Sequence, residues 1–209
     1  VFVCLAKESS NLDAYYKMKD AGIPVVFFDK VPDDDSYNRV CLADKDAAVM
    51  AAEALLKKQK KNILAIFGDK QMSITRRRLQ AFQETLQPFK KIKLSVEHAG
   101  NMQAAEEITH RYFQLKLQPD AVFCMSDEIL TGVMKCVQKL KLDVPEQTGI
   151  ITMSDGFFPK LYYPEITFIE TSGYRLGKLA CERMMQCVKG KEEPKELFVS
   201  SRFAEAGSL

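Results

Sequence analysis

Hydrogen-bonding and titratable side chains gather in five short segments of this sequence, each directly after a run of β-type residues: 29–35, 68–75, 98–102, 126–128 and 154–159. They bring Asp29, Asp69, Ser73, Asn101, Met102, Ser126, Asp127, Ser154, Asp155 and Phe157, polar groups beside apolar or aromatic surface. A small polyhydroxylated or heterocyclic ligand needs that mixture, polar atoms to orient it and apolar faces to desolvate it. Arg78, just beyond the second segment, offers several guanidinium donors to ligand hydroxyls or a carboxylate. From the residues alone the more frequent reading is a solvated member of the Arg76-Arg77-Arg78 run. Asp127 and Asp155 each follow a Ser and precede a helix or turn, so they read either as caps and turn formers or as ligand contacts.

Catalytic groupings are scarce. There is no G-x-G-x-x-G and no G-x-x-x-x-G-K-[ST], so neither dinucleotide nor P-loop phosphate binding is supported. No G-x-S-x-G elbow and no H-E-x-x-H occurs. His98 stands at a strand end and His110 inside a helical stretch, neither with a partner at ligand spacing, so no metal and no cofactor is expected. An enzyme would have to use Asp127 or Asp155 as acid or base, and no nucleophile–base pair accompanies either. The expectation is binding without turnover.

Loops so far apart in sequence form one site only if the fold collects them. In an open parallel sheet ligands bind beyond the carboxyl ends of the strands, which is where these five segments fall. The pattern predicts strands over 1–5, 25–29, 39–43, 63–67, 92–97, 121–125, 149–153, 166–170 and 196–200. Helical stripes lie between them: Ala48, Ala51, Ala52 and Leu55; Leu79, Phe82 and Leu86; Ala105, Ile108, Tyr112 and Leu115; Ile129, Val133, Val137 and Leu140; Leu176, Ala180, Met184 and Cys187. Most strands are continuous apolar runs, which suits sheets covered on both faces. The alternation argues for a doubly wound, mostly parallel α/β fold.

Composition fits an ordinary soluble globular chain, 46% hydrophobic and 28% charged over 209 residues. With 30 Lys and Arg against 28 Asp and Glu the formal charge is +2, too small for a whole-chain field to hold DNA or an anionic membrane. No apolar run reaches the length of a membrane span. The six Cys form no C-x-x-C and mostly have apolar neighbours, which predicts buried free thiols and a reducing, cytoplasmic setting. The run Lys57-Lys58-Gln59-Lys60-Lys61 reads as a solvated helix end and turn. The first residues carry no signal peptide, lack an initiator Met and open inside an expected strand, so the chain is expected to be a piece of a longer one.

Residues 22–29, GIPVVFFD, resemble the G-I-P-V-V-x-x-D strand in the effector-binding core of the LacI/PurR family of bacterial transcription regulators, and the order of several further motifs continues the resemblance. The strand and glycine at 63–68, followed by Arg78-Leu79-Gln80-Ala81-Phe82, resemble its R-x-x-G-F element, with Ala81 in the glycine's place. Pro119-Asp120-Ala121-Val122-Phe123 with Ser126-Asp127 and Gly132 resembles P-D-A-[IV]-x, S-D and a helix glycine. Val144-Pro145-Glu146, Pro164-Glu165-Ile166-Thr167, and Gly177 with Ala180 complete the order.

The resemblance implies two periplasmic-binding-protein-like α/β subdomains, the first of them incomplete. One would hold 1–60 and 171–193, the other 61–170 and 194–209, with crossings near Lys60, Thr171 and Pro194. It implies an effector, a sugar or a nucleoside or purine, in the cleft between them, contacted by Arg78, Met102, Ser126, Asp127, Ser154 and Asp155. Met102 stands where an aromatic residue is common and Ser154 where several members carry an acid, a departure from a simple hexose site. The implied partners are operator DNA, read by an N-terminal helix-turn-helix outside this sequence, and a second copy in a homodimer. Effector and operator affinity would then be linked. A solute-binding protein of a transport or receptor system would share the fold and is the other expectation.

Overall fold

The computed structural model describes residues 1–6, 11–190, 193 and 195–209. In chain order the elements are β1 (Phe2–Val3), α1 (Asp13–Asp20), β2 (Val26–Phe28), β3 (Asn38–Leu42), α2 (Asp44–Lys57), β4 (Asn62–Phe67), α3 (Ser73–Leu86) and β5 (Lys93–His98). There follow α4 (Met102–Phe113), β6 (Ala121–Cys124), α5 (Asp127–Leu140), β7 (Gly149–Ser154), β8 (Thr167–Glu170), α6 (Gly173–Val188), β9 (Glu196–Val199) and β10 (Arg202–Ala204). The predicted strands are all present within a residue or two of their expected ends, and β10 is an addition.

Two units divide the chain, Val1–Ala43 with Ser172–Ser200, and Asp44–Thr171 with Ser201–Leu209. The first has a four-stranded parallel sheet in the order β1-β2-β3-β9. Alternate residues serve its two faces, as the two-residue period of a strand requires. Val3, Phe27 and Cys41 pack with Leu12, Tyr15 and Met18 around α1, whereas Val26, Val40 and Val199 pack with Leu176 and Ala180 of α6.

The second unit has a six-stranded sheet, β10-β8-β7-β6-β4-β5, parallel except for β10, which runs antiparallel to β8. Every residue of β6 and β7 is buried, which accounts for the unbroken apolar sequence of β6 and the mostly apolar one of β7. From β4 the chain moves outward through α3 to β5, then returns across β4 through α4 to β6 and continues the other way. Right-handed crossovers put α3 on one face and α4 and α5 on the other, in line with the pairing of α2 with α3 and of α4 with α5. The strand order thus reverses between β4 and β6.

Two expected boundaries move. Residues 44–60 were assigned to the first unit, but α2 belongs to the second. Its buried Ala47, Ala48, Ala51, Ala52 and Leu55 join the core of the six-stranded sheet, beside α3 and β8. Residues 195–200 leave the second unit because β9 pairs with β3. Strand partners are not written in a local pattern, so sequence could not settle either point. The crossing expected near Thr171 falls between Thr171 and Ser172, and Pro194 lies outside the described residues. Leu115, counted in a helical stripe, lies beyond the end of α4 and is exposed. The six Cys are free thiols, but only Cys41, Cys124 and Cys136 are buried, while Cys4 and Cys181 are exposed.

Candidate functional site

A reversal of strand order leaves a crevice between two loops that depart in opposite directions, and here those loops follow β4 and β6. Arg78 reaches this point from α3. Successive helical residues turn by about 100°, so a run of three arginines cannot share one face. Thr75, Arg78, Ala81, Phe82 and Leu86 form the buried face, and Arg76 is exposed. Phe82, one turn after Arg78, stacks on Phe123 of β6 with ring centroids 4.7 Å apart and fixes the height of the helix over the sheet.

The solvated reading of Arg78 is therefore overturned, for its side chain is only 6% exposed. Its Nε donates to Asp44 Oδ1 at 2.8 Å and its Nη1 donates to the Met125 carbonyl at 3.2 Å. Neither bond uses Nη2. Asp44 is itself buried, in the first turn of α2, where the helix N-terminus favours its charge.

Beyond β6, Ser126 caps α5, its hydroxyl accepting from the Ile129 amide at 3.4 Å. Asp127 follows, half-buried, and its Oδ1 is buried without a hydrogen-bond partner. Burial pushes its carboxyl above the ordinary value of 3.8; a hydrogen bond with Ser154 opposes the shift and the charge of Asp155 adds to it. Ser154, at the end of β7 and 2% exposed, also accepts from the Gly156 amide at 3.0 Å. Asp155 is exposed, and its Oδ1 closes a turn by accepting from the Phe157 amide at 3.1 Å. It thus acts as the turn former that was one of its two readings.

Asp127, Ser154 and Asp155 interact with one another, whereas Arg78 reaches, besides Asp44, the Met125 carbonyl, next to Ser126 in sequence. Met102 stands to one side. It is 37% exposed at the start of α4 and lines a groove of about 710 Å³ with Glu106, His110 and Cys136. Asn101 caps α4, accepting from the Ala104 amide at 2.9 Å, and Asp69 accepts from the Gln71 amide at 2.8 Å. His98 is within 2.7 Å of the Gly68 carbonyl.

Sequence reasoning missed Asp44 and Thr75. The Thr75 hydroxyl is buried without a partner, close to Gly68 and one turn before Arg78, a position that helical spacing could have revealed. Asp44 carried no such signal, since only tertiary packing brings it across 34 residues to Arg78. Among the described residues no group of His, Cys, Asp and Glu could hold a metal ion.

Comparison with known proteins bears on this arrangement. Residues 52–204 match the periplasmic binding protein-like domain family. The chain belongs to that family. Its match to curated relatives extends the resemblance seen in the motifs. This periplasmic binding protein-like domain is 24% identical over 190 residues to the probable HTH-type transcriptional regulator EndR of Paenibacillus polymyxa, covering 89% of this chain and 56% of that protein. It is 25% identical over 184 residues to the HTH-type transcriptional repressor PurR of Vibrio vulnificus, covering 86% and 55%. The chain thus spans about half the length of these relatives. Among solved structures, a LacI family transcriptional regulator from Enterococcus faecium with bound ribose superposes with a TM-score of 0.88 at 18% identity, covering 99% of this chain and 78% of the other. That likeness shows the fold.

Proposed function

We propose that this domain senses an uncharged, polyhydroxylated small molecule at the carboxyl tips of β4, β6 and β7, as the effector-binding part of a LacI-type transcription regulator. One observation carries the reading. At the strand-order reversal an unpartnered carboxylate oxygen, Asp127 Oδ1, lies on the same row of tips as a guanidinium with Nη2 to spare. Aspartate accepts and arginine donates, so vicinal hydroxyls, which do both, satisfy the pair. Ser126, Ser154 and Thr75 add hydroxyls of either role, and exposed Phe157 adds apolar surface.

The regulator reading is supported by the names of the curated relatives, and with it operator DNA and a second copy of the chain are the proposed partners. Bound ribose in the Enterococcus faecium structure supports the ligand class. Binding without turnover is the proposed role, supported by the curated relatives' being named transcription regulators. No helix among the described residues is long and apolar enough to cross a membrane. A cytoplasmic setting is proposed because the curated relatives are named transcription regulators.

The test is a thermal-shift screen of the intact protein against neutral pentoses, hexoses, disaccharides and nucleosides. A ligand present at 100 times its dissociation constant adds about 2.7 kcal/mol of stability. Asp127→Asn, which exchanges an acceptor for a donor at Oδ1 or its neighbour, should abolish most of that gain. A screen in which no neutral polyol raises the melting temperature refutes the reading. A secretory signal or lipid-anchor cysteine encoded upstream of Val1, with no helix-turn-helix, would transfer the site to a solute-binding protein.

A further inference from the structure

Arginine at a ligand site is ordinarily the group that selects for anions, and here its charge is already spoken for. The Asp44–Arg78 pair is closed at 2.8 Å with the two side chains 5% and 6% exposed, deep enough that solvent does little to screen it. Asp44 also sits in the first turn of a 14-residue helix, where the positive end of the helix dipole favours its negative charge. Asp127 and Asp155, after β6 and β7, add negative charge. The remaining cations of these tips are engaged or turned outward. Arg76 donates to the Gln71 carbonyl, Arg77 has its own partner, and Lys70 is exposed. His98 is held at the Gly68 carbonyl. A carboxylate or phosphate entering here would lose hydration, meet two carboxylates and find, among the described residues of these tips, no unpaired cation to compensate it.

We propose that Asp44, which need not touch the ligand, is the specificity-determining residue of this site: by holding the Arg78 guanidinium it cancels the charge, so that neutral sugars are accepted and sugar acids are turned away. Arg78 is left as a directional donor through Nη2 instead of an anion receptor. This rests on the ligand site proposed above and adds its selectivity. Asp44 acts through Arg78 and is thus a positioning residue. Removing its charge, without changing its shape, should convert Arg78 into an anion-binding group.

The experiment measures dissociation constants of D-glucose, D-galactose, D-glucuronate and D-galacturonate for the intact protein and for Asp44→Asn by calorimetry. The unsubstituted protein should favour each neutral sugar over its uronic acid by at least about tenfold, a factor worth about 1.4 kcal/mol. Asp44→Asn should shift that ratio toward the acid by about tenfold or more, and Asp44→Glu should return it toward the original. General destabilisation weakens both ligands together and leaves the ratio alone. The proposal is overturned if Asp44→Asn keeps its ratio within about twofold of the parent, or gains no affinity for either uronate. Should Asp44→Asn not fold, the parent protein decides, since uronates bound as tightly as the sugars overturn it outright. A parent that responds to no neutral polyol in the screen sinks the site itself, and a parent that responds while the ratio stays put sinks only the role of Asp44.

Discussion

The same substitution, glycine to alanine inside a helix, should have opposite effects at two positions of this chain. At Gly132 in α5 an added Cβ would lie 2.2 Å from the Met102 carbonyl oxygen, 2.8 Å from Ala105 Cβ and 3.0 Å from the Glu106 amide nitrogen. Two of those three are backbone atoms of α4, so relief requires the two helices to separate by about an ångström and not a mere rotamer change. Overpacking of this kind costs about 1–3 kcal/mol, and a backbone obstacle belongs at the upper end. Alanine returns about 1 kcal/mol through its better helix propensity. The net expectation is a loss of about 2 kcal/mol, or a melting temperature lower by about 4–8 °C for a chain of this size. At Gly177 in α6 nothing lies within 4 Å of the same Cβ, so Gly177→Ala should gain up to about 1 kcal/mol. Urea and thermal unfolding of both variants, followed by circular dichroism, make the comparison. Equal stabilisation by both substitutions would refute the close approach of α4 and α5.

The other predictions concern single polar groups. Asp127 is held above its ordinary 3.8 chiefly by burial, so the folded state binds its proton more tightly than the unfolded chain does. Its contribution to stability must therefore increase as pH falls through the folded value toward 3.8, and be least favourable at neutral pH. Asp127→Asn should raise the melting temperature of the ligand-free protein at neutral pH and remove that part of the pH dependence; a variant whose profile parallels the parent's contradicts the assigned cause. Ser208 links β7 and β8, its hydroxyl donating to the Ile150 carbonyl at 2.6 Å and accepting from the Thr167 amide at 2.8 Å. Ser208→Ala leaves those buried groups unpaired, at a cost of about 1–3 kcal/mol. Faster amide exchange at Thr167 would register the loss, and unchanged exchange would mean that this C-terminal clip is not formed.

Much of the architecture was legible in local pattern because burial writes itself into strands and helices. The continuous apolar run at 121–124 and the mostly apolar one at 149–153 declare strands covered on both faces, and the stripe from Leu79 to Leu86 declares a helix with one face inward. From these, with the rule that ligands sit at strand tips, the segments around Ser126 and Ser154 followed as neighbours. Partners across the fold were another matter. That β9 joins β3, that β10 adds an antiparallel edge beside β8, and that α2 covers the six-stranded sheet depend on pairings between distant segments with similar local patterns. Arg78 shows the limit most plainly. Its neighbours in sequence marked it as one of three equivalent arginines, and helical rotation turned it inward, but its charge is balanced by Asp44, 34 residues away. The side chain and its chemical repertoire belong to the sequence. The counter-ion beside it, and with it the kind of ligand the site can accept, exists only once the chain has packed, because electrostatic compensation depends on distance in space and on the exclusion of water.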